Sequence, residues 1–230
     1  MKRNKSTKKL MLLIVLFSIL LFPTKGQAME VDRTPILQEF SNEFVSSDRK
    51  VIKNKYGEKV PYLIEQAVIH LAQKGEYKAL KEILIKNNLI ISYNEIRKID
   101  NELVYPSSYP IESGRITERA YHVGVGTWRG RTVDFEKEWI TILTADYRFD
   151  PNTNKILNIS SPTVNFDTTF GIMFSPYQTN VRTNFNFYRN TYNLSVSYDM
   201  WATIGVDIGN IPAGINVNYG HHEDAFSGAF

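Results

Sequence analysis

The sequence predicts an α+β protein: a small N-terminal helical domain followed by an all-β antiparallel sandwich of Ig-like or jelly-roll type. Three observations predict it. Apolar residues recur at helical spacing before residue 104 and alternate with polar ones after residue 115. A turn-rich stretch, Tyr105-Pro-Ser-Ser-Tyr-Pro-Ile-Glu-Ser-Gly114, separates the two patterns. Composition changes at the same place: residues 29–104 carry six aromatics and no tryptophan, whereas residues 105–230 carry 21 aromatics and all three tryptophans. The expected organisation is therefore 1–28 signal peptide, 29–104 helical domain, 105–114 linker and 115–230 β-sandwich.

The chain opens with a basic stretch, Met1-Lys-Arg-Asn-Lys-Ser-Thr-Lys-Lys9. A run of 13 mostly apolar residues, Leu10–Phe22, follows, and then a small-residue exit, Gly26-Gln27-Ala28. This order is that of a secretory signal cleaved after Ala28. As a helix the run spans about 20 Å, short of a membrane core. The expected product is a secreted bacterial protein, extracellular or associated with the cell envelope. Residues 1–28 hold six cations and no acids, so the rest of the chain carries 21 Lys+Arg against 24 Asp+Glu. The basic excess of the whole chain thus belongs to the leader, and it does not argue for nucleic acid. There is no cysteine, which excludes disulfide staples, thiolate metal sites and thiol nucleophiles.

In the first half, Thr34-Pro35 reads as a cap and first turn, with Ile36, Leu37, Phe40, Phe44 and Val45 on one helical stripe. Pro61 to Gln73 reads as a second helix ended by Gly75, and Glu76 to Lys86 as a third ended by Asn87-Asn88. Ser92-x-x-Glu95 matches a capping box, and Ile96, Ile99 and Leu103 follow at spacings of three and four, predicting a fourth helix.

In the second half, Tyr121, Val123 and Val125 alternate. Phe135, Trp139, Leu143 and Tyr147 share one face of a long strand, with Ile140 and Ile142 on the other. Asp150-Pro-Asn-Thr-Asn154 is a turn. Further strands read at 155–160, 164–166, 169–174, 181–188, 192–198, 204–208 and 215–219. Short alternating strands at this spacing predict the sandwich.

Trp128, Arg129 and Arg131 form an aromatic-basic turn and are the candidate ligand contacts. The 179–199 hairpin alternates apolar and uncharged polar residues. Its Phe185, Phe187, Tyr192 and Tyr198 are candidate membrane contacts; a solvent-facing sandwich hairpin gives the same pattern. Asn184, Asn186, Asn193, Asn216 and Asn218 repeat on polar faces and suit hydrogen bonding to sugars or to a partner's edge; a plain abundance of asparagine, as in AT-rich genomes, gives the same pattern. Asp134, Glu136 and Glu138 alternate on one strand face, as paired carboxylates of a glycosidase or as a plain solvated face. His221-His222-Glu223-Asp224 reads as a polar tail beyond the last strand, because neighbours on a strand point to opposite faces and do not converge on one ion. His70 lies beside a helical stripe, and His122 is expected on an exposed sheet face.

No nucleophile elbow, metal-ligand spacing or glycine-rich phosphate loop is present. No catalytic residue, metal or cofactor is therefore expected. The leading expectation is a non-enzymatic binding protein whose partner is an envelope component or another extracellular macromolecule. A membrane-active toxin or bacteriocin-like protein using the 179–199 hairpin, at a membrane surface, is the alternative. A cell-wall polysaccharide hydrolase comes third.

Overall fold

A computed structural model of the chain describes residues 36–99, 111–170, 174–208 and 211–230, with the backbone alone at 134, 206–208 and 211–213. The predicted signal peptide, the predicted Thr34-Pro35 cap, Leu103 and most of the predicted linker lie outside the described residues. The described residues form one compact unit.

Three helices occur among the described residues: α1 (Ile36–Ser46), α2 (Tyr62–Lys74) and α3 (Tyr77–Asn87). They match the first three apolar stripes. Ile36, Leu37, Phe40 and Phe44 of α1 are buried. Gly75 ends α2 with φ 69° and Asn88 ends α3 with φ 50°; each donates its N–H back to the last turn, the left-handed stop that Gly and Asn supply most easily.

Where a fourth helix is predicted, the chain forms a strand. β1 (Lys50–Asn54) and β2 (Leu89–Lys98) pair antiparallel, and β2 pairs on its other side with β3 (Glu112–Trp128). The Ser92 capping box is a local signal. It loses to the period-two burial of Leu89, Ile91 and Tyr93 and to hydrogen bonding along both edges. β3 also starts inside the predicted linker, at Glu112.

The remaining strands are β4 (Arg131–Asp150), β5 (Lys155–Ile159), β6 (Thr163–Thr168), β7 (Phe174–Tyr188), β8 (Thr191–Ile208) and β9 (Ile211–Ala229). Two tight turns fix the long hairpins. Arg129 and Gly130, both with positive φ, close β3–β4, and Arg189 with φ 54° closes β7–β8. The strand order is β1-β2-β3-β9-β8-β7, with β4 on β3 and with β5 and β6 on β4. All nine strands among the described residues thus belong to one open antiparallel sheet. This pairing does not reproduce the two separate sheets of an Ig-like or jelly-roll sandwich. The link between β3 and β9 is the pair Thr127↔Asn218.

Beyond that corner the two parts of the sheet face each other. Even-numbered residues of β3 (Ile116, Ala120) and odd-numbered residues of β4 (Trp139, Leu143, Tyr147) pack with Leu194, Val196, Tyr198, Val217 and Phe226 of β8 and β9. The opposite face of β3–β4, with Tyr121 and Ile140, packs under the helices. The alternation expected on β4 is the one observed. Its two faces serve two apolar cores, and neither faces solvent along the strand's middle.

Candidate functional site

The chemistry-bearing side chains converge inside the upper core, between β3–β4 and β8–β9. β3 supplies His122, β4 supplies Trp139 and Thr141, β8 supplies Tyr198, and β9 supplies His222 and Asp224. The Trp139 Nε1–H donates to the Tyr198 hydroxyl at 2.9 Å, which lies 2.8 Å from the Thr141 Oγ1. The His122 Nε2 lies 3.0 Å from the Asp224 Oδ2, 3.2 Å from the Thr141 Oγ1 and 3.3 Å from the Tyr198 hydroxyl. The His122 ring stacks on Trp139, with centroids 5.2 Å apart and planes within 5°, and His222 meets both rings edge-on.

His122 and Asp224 are both buried, which corrects two sequence expectations. β3 has no exposed face at His122, because both of its faces are covered. The His221–Asp224 segment is not a tail: β9 runs through it to Ala229. A register shift between Met200 and Trp201 places an irregularity at Tyr219–Gly220. There Gly220 has φ 99° and donates its N–H to the Asn218 Oδ1 at 2.7 Å. Val217 and Tyr219 point inward before it; Asp224 and Phe226 point inward after it. The bulge switches the inward parity from odd to even and so delivers His222 and Asp224 to the core.

Burial works against charge in this cluster. It pushes the Asp224 carboxyl up, but His122 and its hydrogen bond outweigh burial and leave the group below its ordinary value. Burial, reinforced by His122, lowers the His222 ring to about 4. Burial, with the Asp224 charge beside it, raises the Tyr198 hydroxyl. The arrangement lacks the form of a nucleophilic relay. A relay needs the carboxylate on one ring nitrogen and the hydroxyl on the other. Here Thr141 and Asp224 both approach Nε2, and Nδ1 has no hydrogen-bond partner. Among the described residues no group of three His, Asp or Glu side chains is set to hold a metal ion.

A second buried acid, Glu118 on β3, receives hydrogen bonds from the Tyr192 hydroxyl (3.0 Å) and the Asn94 Nδ2 (3.3 Å). Burial lifts its carboxyl to about 8 against these donors, so it holds its proton at neutral pH. Beside Asn94 lies an open cleft of about 340 Å³, lined by Glu43, Asp48, Arg49, Tyr93 and Glu95 among others. Arg49 already donates to the Ala229 carbonyl of β9.

The other predicted residues are scattered. Trp128, Arg129 and Arg131 sit at the exposed tip of β3–β4, with the Arg129 guanidinium over the Trp128 ring at 5.0 Å. Tyr192 and Tyr198 are buried, whereas Phe185 and Phe187 across the sheet are each 37% exposed. Glu136 and Glu138 share the ammonium of Lys81 on α3. The side chain of Asp134 is outside the described set, and His70 is exposed on α2.

On the outer face of β7–β8–β9, the Asn193 Nδ2 donates to the Asn186 Oδ1 at 2.8 Å, and the Ser227 hydroxyl donates to the Asn193 Oδ1 at 2.6 Å. Near the other end, Asn180 and His221 flank Asp199 in the same cross-strand manner. Thr203 donates to Asn216, and Asn218 serves the bulge.

Comparison with protein-family models, curated proteins and solved structures finds no match.

Proposed function

We propose that the chain is a secreted, non-enzymatic binding protein, cleaved after Ala28, that engages a carbohydrate component of the cell envelope through the outer face of β7–β8–β9. One observation carries the reading. The amide–amide–hydroxyl ladder Asn186–Asn193–Ser227 runs across three strands on a solvent-exposed face, and its own three members are uncharged. Such a ladder holds donors and acceptors at the spacing of a pleated sheet, and neutral hydroxylated ligands are recognised by that kind of fixed hydrogen-bonding array. The buried titratable groups His122, Asp224 and Glu118, by contrast, join the layers from within. We also read the two facing layers as an open sandwich. Retention on purified cell-wall polysaccharide tests the proposal. The wild type is expected to be retained, and Asn186→Ala with Asn193→Ala to pass through while remaining folded. Equal retention of both proteins, or none of either, would overturn it.

A second reading, a membrane-active protein, rests on a different observation. The inward positions of β7–β8 (Val181, Thr183, Phe185, Phe187, Tyr192, Leu194, Val196, Tyr198, Met200 and Ala202) carry no charge. Such a face tolerates lipid. Tyr192 and Tyr198 must leave the core before they touch a bilayer. Dye release from anionic phospholipid vesicles supports this reading, and intact vesicles at neutral and acid pH remove it.

A further inference from the structure

We propose that two copies of this chain pair along β7, antiparallel and in register about Phe185, to form a two-fold symmetric dimer. The inference uses the edge of the sheet, not its outer face, and stands apart from the carbohydrate reading.

β7 ends the strand order and, among the described residues, pairs with β8 alone. The β7–β8 turn closes on the pair Tyr188↔Thr191. A two-residue turn makes that pair hydrogen-bonded, so the backbones of Tyr188, Asn186, Asn184 and Arg182 bond to β8. The N–H and C=O groups of Thr183, Phe185 and Phe187 therefore point away from the sheet; in the single chain the Phe185 N–H donates to the Asn184 Oδ1 at 2.8 Å, a bond that pairing exchanges for a main-chain carbonyl of the second copy. Edge strands of monomeric proteins are usually blunted by lysine, proline, a bulge or a covering segment. In β7 the proline (Pro176) and the bulge (Thr179/Arg182) lie before this stretch. At its far end the Ile156 N–H donates to the Arg189 carbonyl at 2.6 Å, so β5 occupies the turn. The stretch from Thr183 to Phe187 carries no charge and no proline.

The register follows from these facts. A two-fold axis can pass through an outward-facing residue or through one bonded to β8; only an axis at Phe185, the middle of the three outward-facing residues, engages all three, whereas one at Asn184 or Asn186 leaves an outward residue of this stretch outside it. Centring there sets Thr183 against Phe187 and makes about six main-chain bonds. On the outer face it sets Asn184 against Asn186 and Arg182 against Tyr188, whose ring already carries the Arg189 guanidinium at 5.3 Å. No two charged side chains are direct cross-strand partners in this register, whereas an axis at Arg182 would oppose two guanidiniums. Pairing also covers Phe185 and Phe187, both part-exposed in the monomer. A self-complementary patch of this kind closes as a two-fold dimer.

Sedimentation velocity of the exported chain, from low to several hundred micromolar, tests the proposal. The wild type is expected to show a concentration-dependent dimer. Phe185→Lys places two ammoniums across the axis, and Thr183→Pro removes an outward N–H that β8 does not use. Both are expected to lose the dimer with unchanged far-UV circular dichroism and urea midpoint. Because the chain lacks cysteine, Phe185→Cys gives an independent readout. Across the axis the Cα atoms would be about 5.5 Å apart, within disulfide range, so oxidation is expected to yield a covalent dimer faster than with Leu157→Cys. A wild type monomeric throughout, dimers retained in both edge variants, or equal crosslinking at 157 and 185 would each overturn the proposal.

Discussion

Tyr198 is the residue on which the upper core turns. Its hydroxyl is the acceptor for the Trp139 N–H and the neighbour of Thr141 and His122. Tyr198→Phe keeps the ring and strands the buried Trp139 donor, so a loss of about 1–3 kcal/mol is expected in urea denaturation. A cost near zero would mean that the hydroxyl does not join the layers. Two other buried groups set the pH response, with opposite signs. Glu118 titrates at about 8 in the folded chain against an ordinary 4.5. The folded state therefore keeps a proton that the unfolded state has lost, and stability falls as pH rises from 4.5 to 8. His222 titrates at about 4 against 6.5. The unfolded state takes up a proton that the folded state refuses, and stability falls as pH drops from 6.5 to 4. Between 4.5 and 6.5 the slopes oppose, so the urea midpoint is expected to be flattest there and to decline from 6.5 to 8. Glu118→Gln is expected to remove that alkaline decline. If the decline survives the substitution, Glu118 is not its source.

Among elements, the corner where β3 meets β9 depends on a missing side chain. A Cβ at Gly126 would run into the Val217 Cγ1, with the Tyr219 ring at 3.2 and 3.3 Å. Gly126→Ala is expected to cost about 1–3 kcal/mol, the usual penalty for overpacking, because Thr127↔Asn218 beside it joins β3 to β9. An unchanged midpoint would show the corner to be slack. Lys81 on α3 is the matching anchor on the helical face. Lys81→Met leaves Glu136 and Glu138 facing each other on β4, and a loss of about 1–2 kcal/mol is expected, reduced by partial exposure. The helices and most strands were legible in the sequence because apolar stripes, Gly75 and the Asp150 turn act locally. β2 was not, because the Ser92–Glu95 capping box is also local, while the two strands flanking β2 are distant in sequence. The interior cluster was hidden for two further reasons. His122 looks solvent-facing beside Tyr121 and Val123 unless β3 is known to lie between two cores. The parity change at Gly220 has no pattern of its own beyond a glycine two residues after Asn218.

At the scale of the whole molecule, the helices and the two parts of the sheet stack as three layers that share β3–β4. Removing residues 36–99 would uncover Tyr121 and Ile140 on one face. It would also take Asn94 away from Glu118 and Tyr192 on the other. Arg49 and Lys53 reach the β9 carbonyls of Ala229 and Ala225, so the free edge of β9 would lose its cover as well. Each loss touches a different layer, and layers that share one strand pair should unfold together. The chain is therefore expected to give one urea transition, coincident by near-UV and far-UV circular dichroism. A fragment of residues 111–230 is expected to lose the near-UV signal of the packed tryptophans and tyrosines. A fragment that kept this signal and the full-length midpoint would show that the facing β layers stand without the helices, and would make the helical segment a separable attachment.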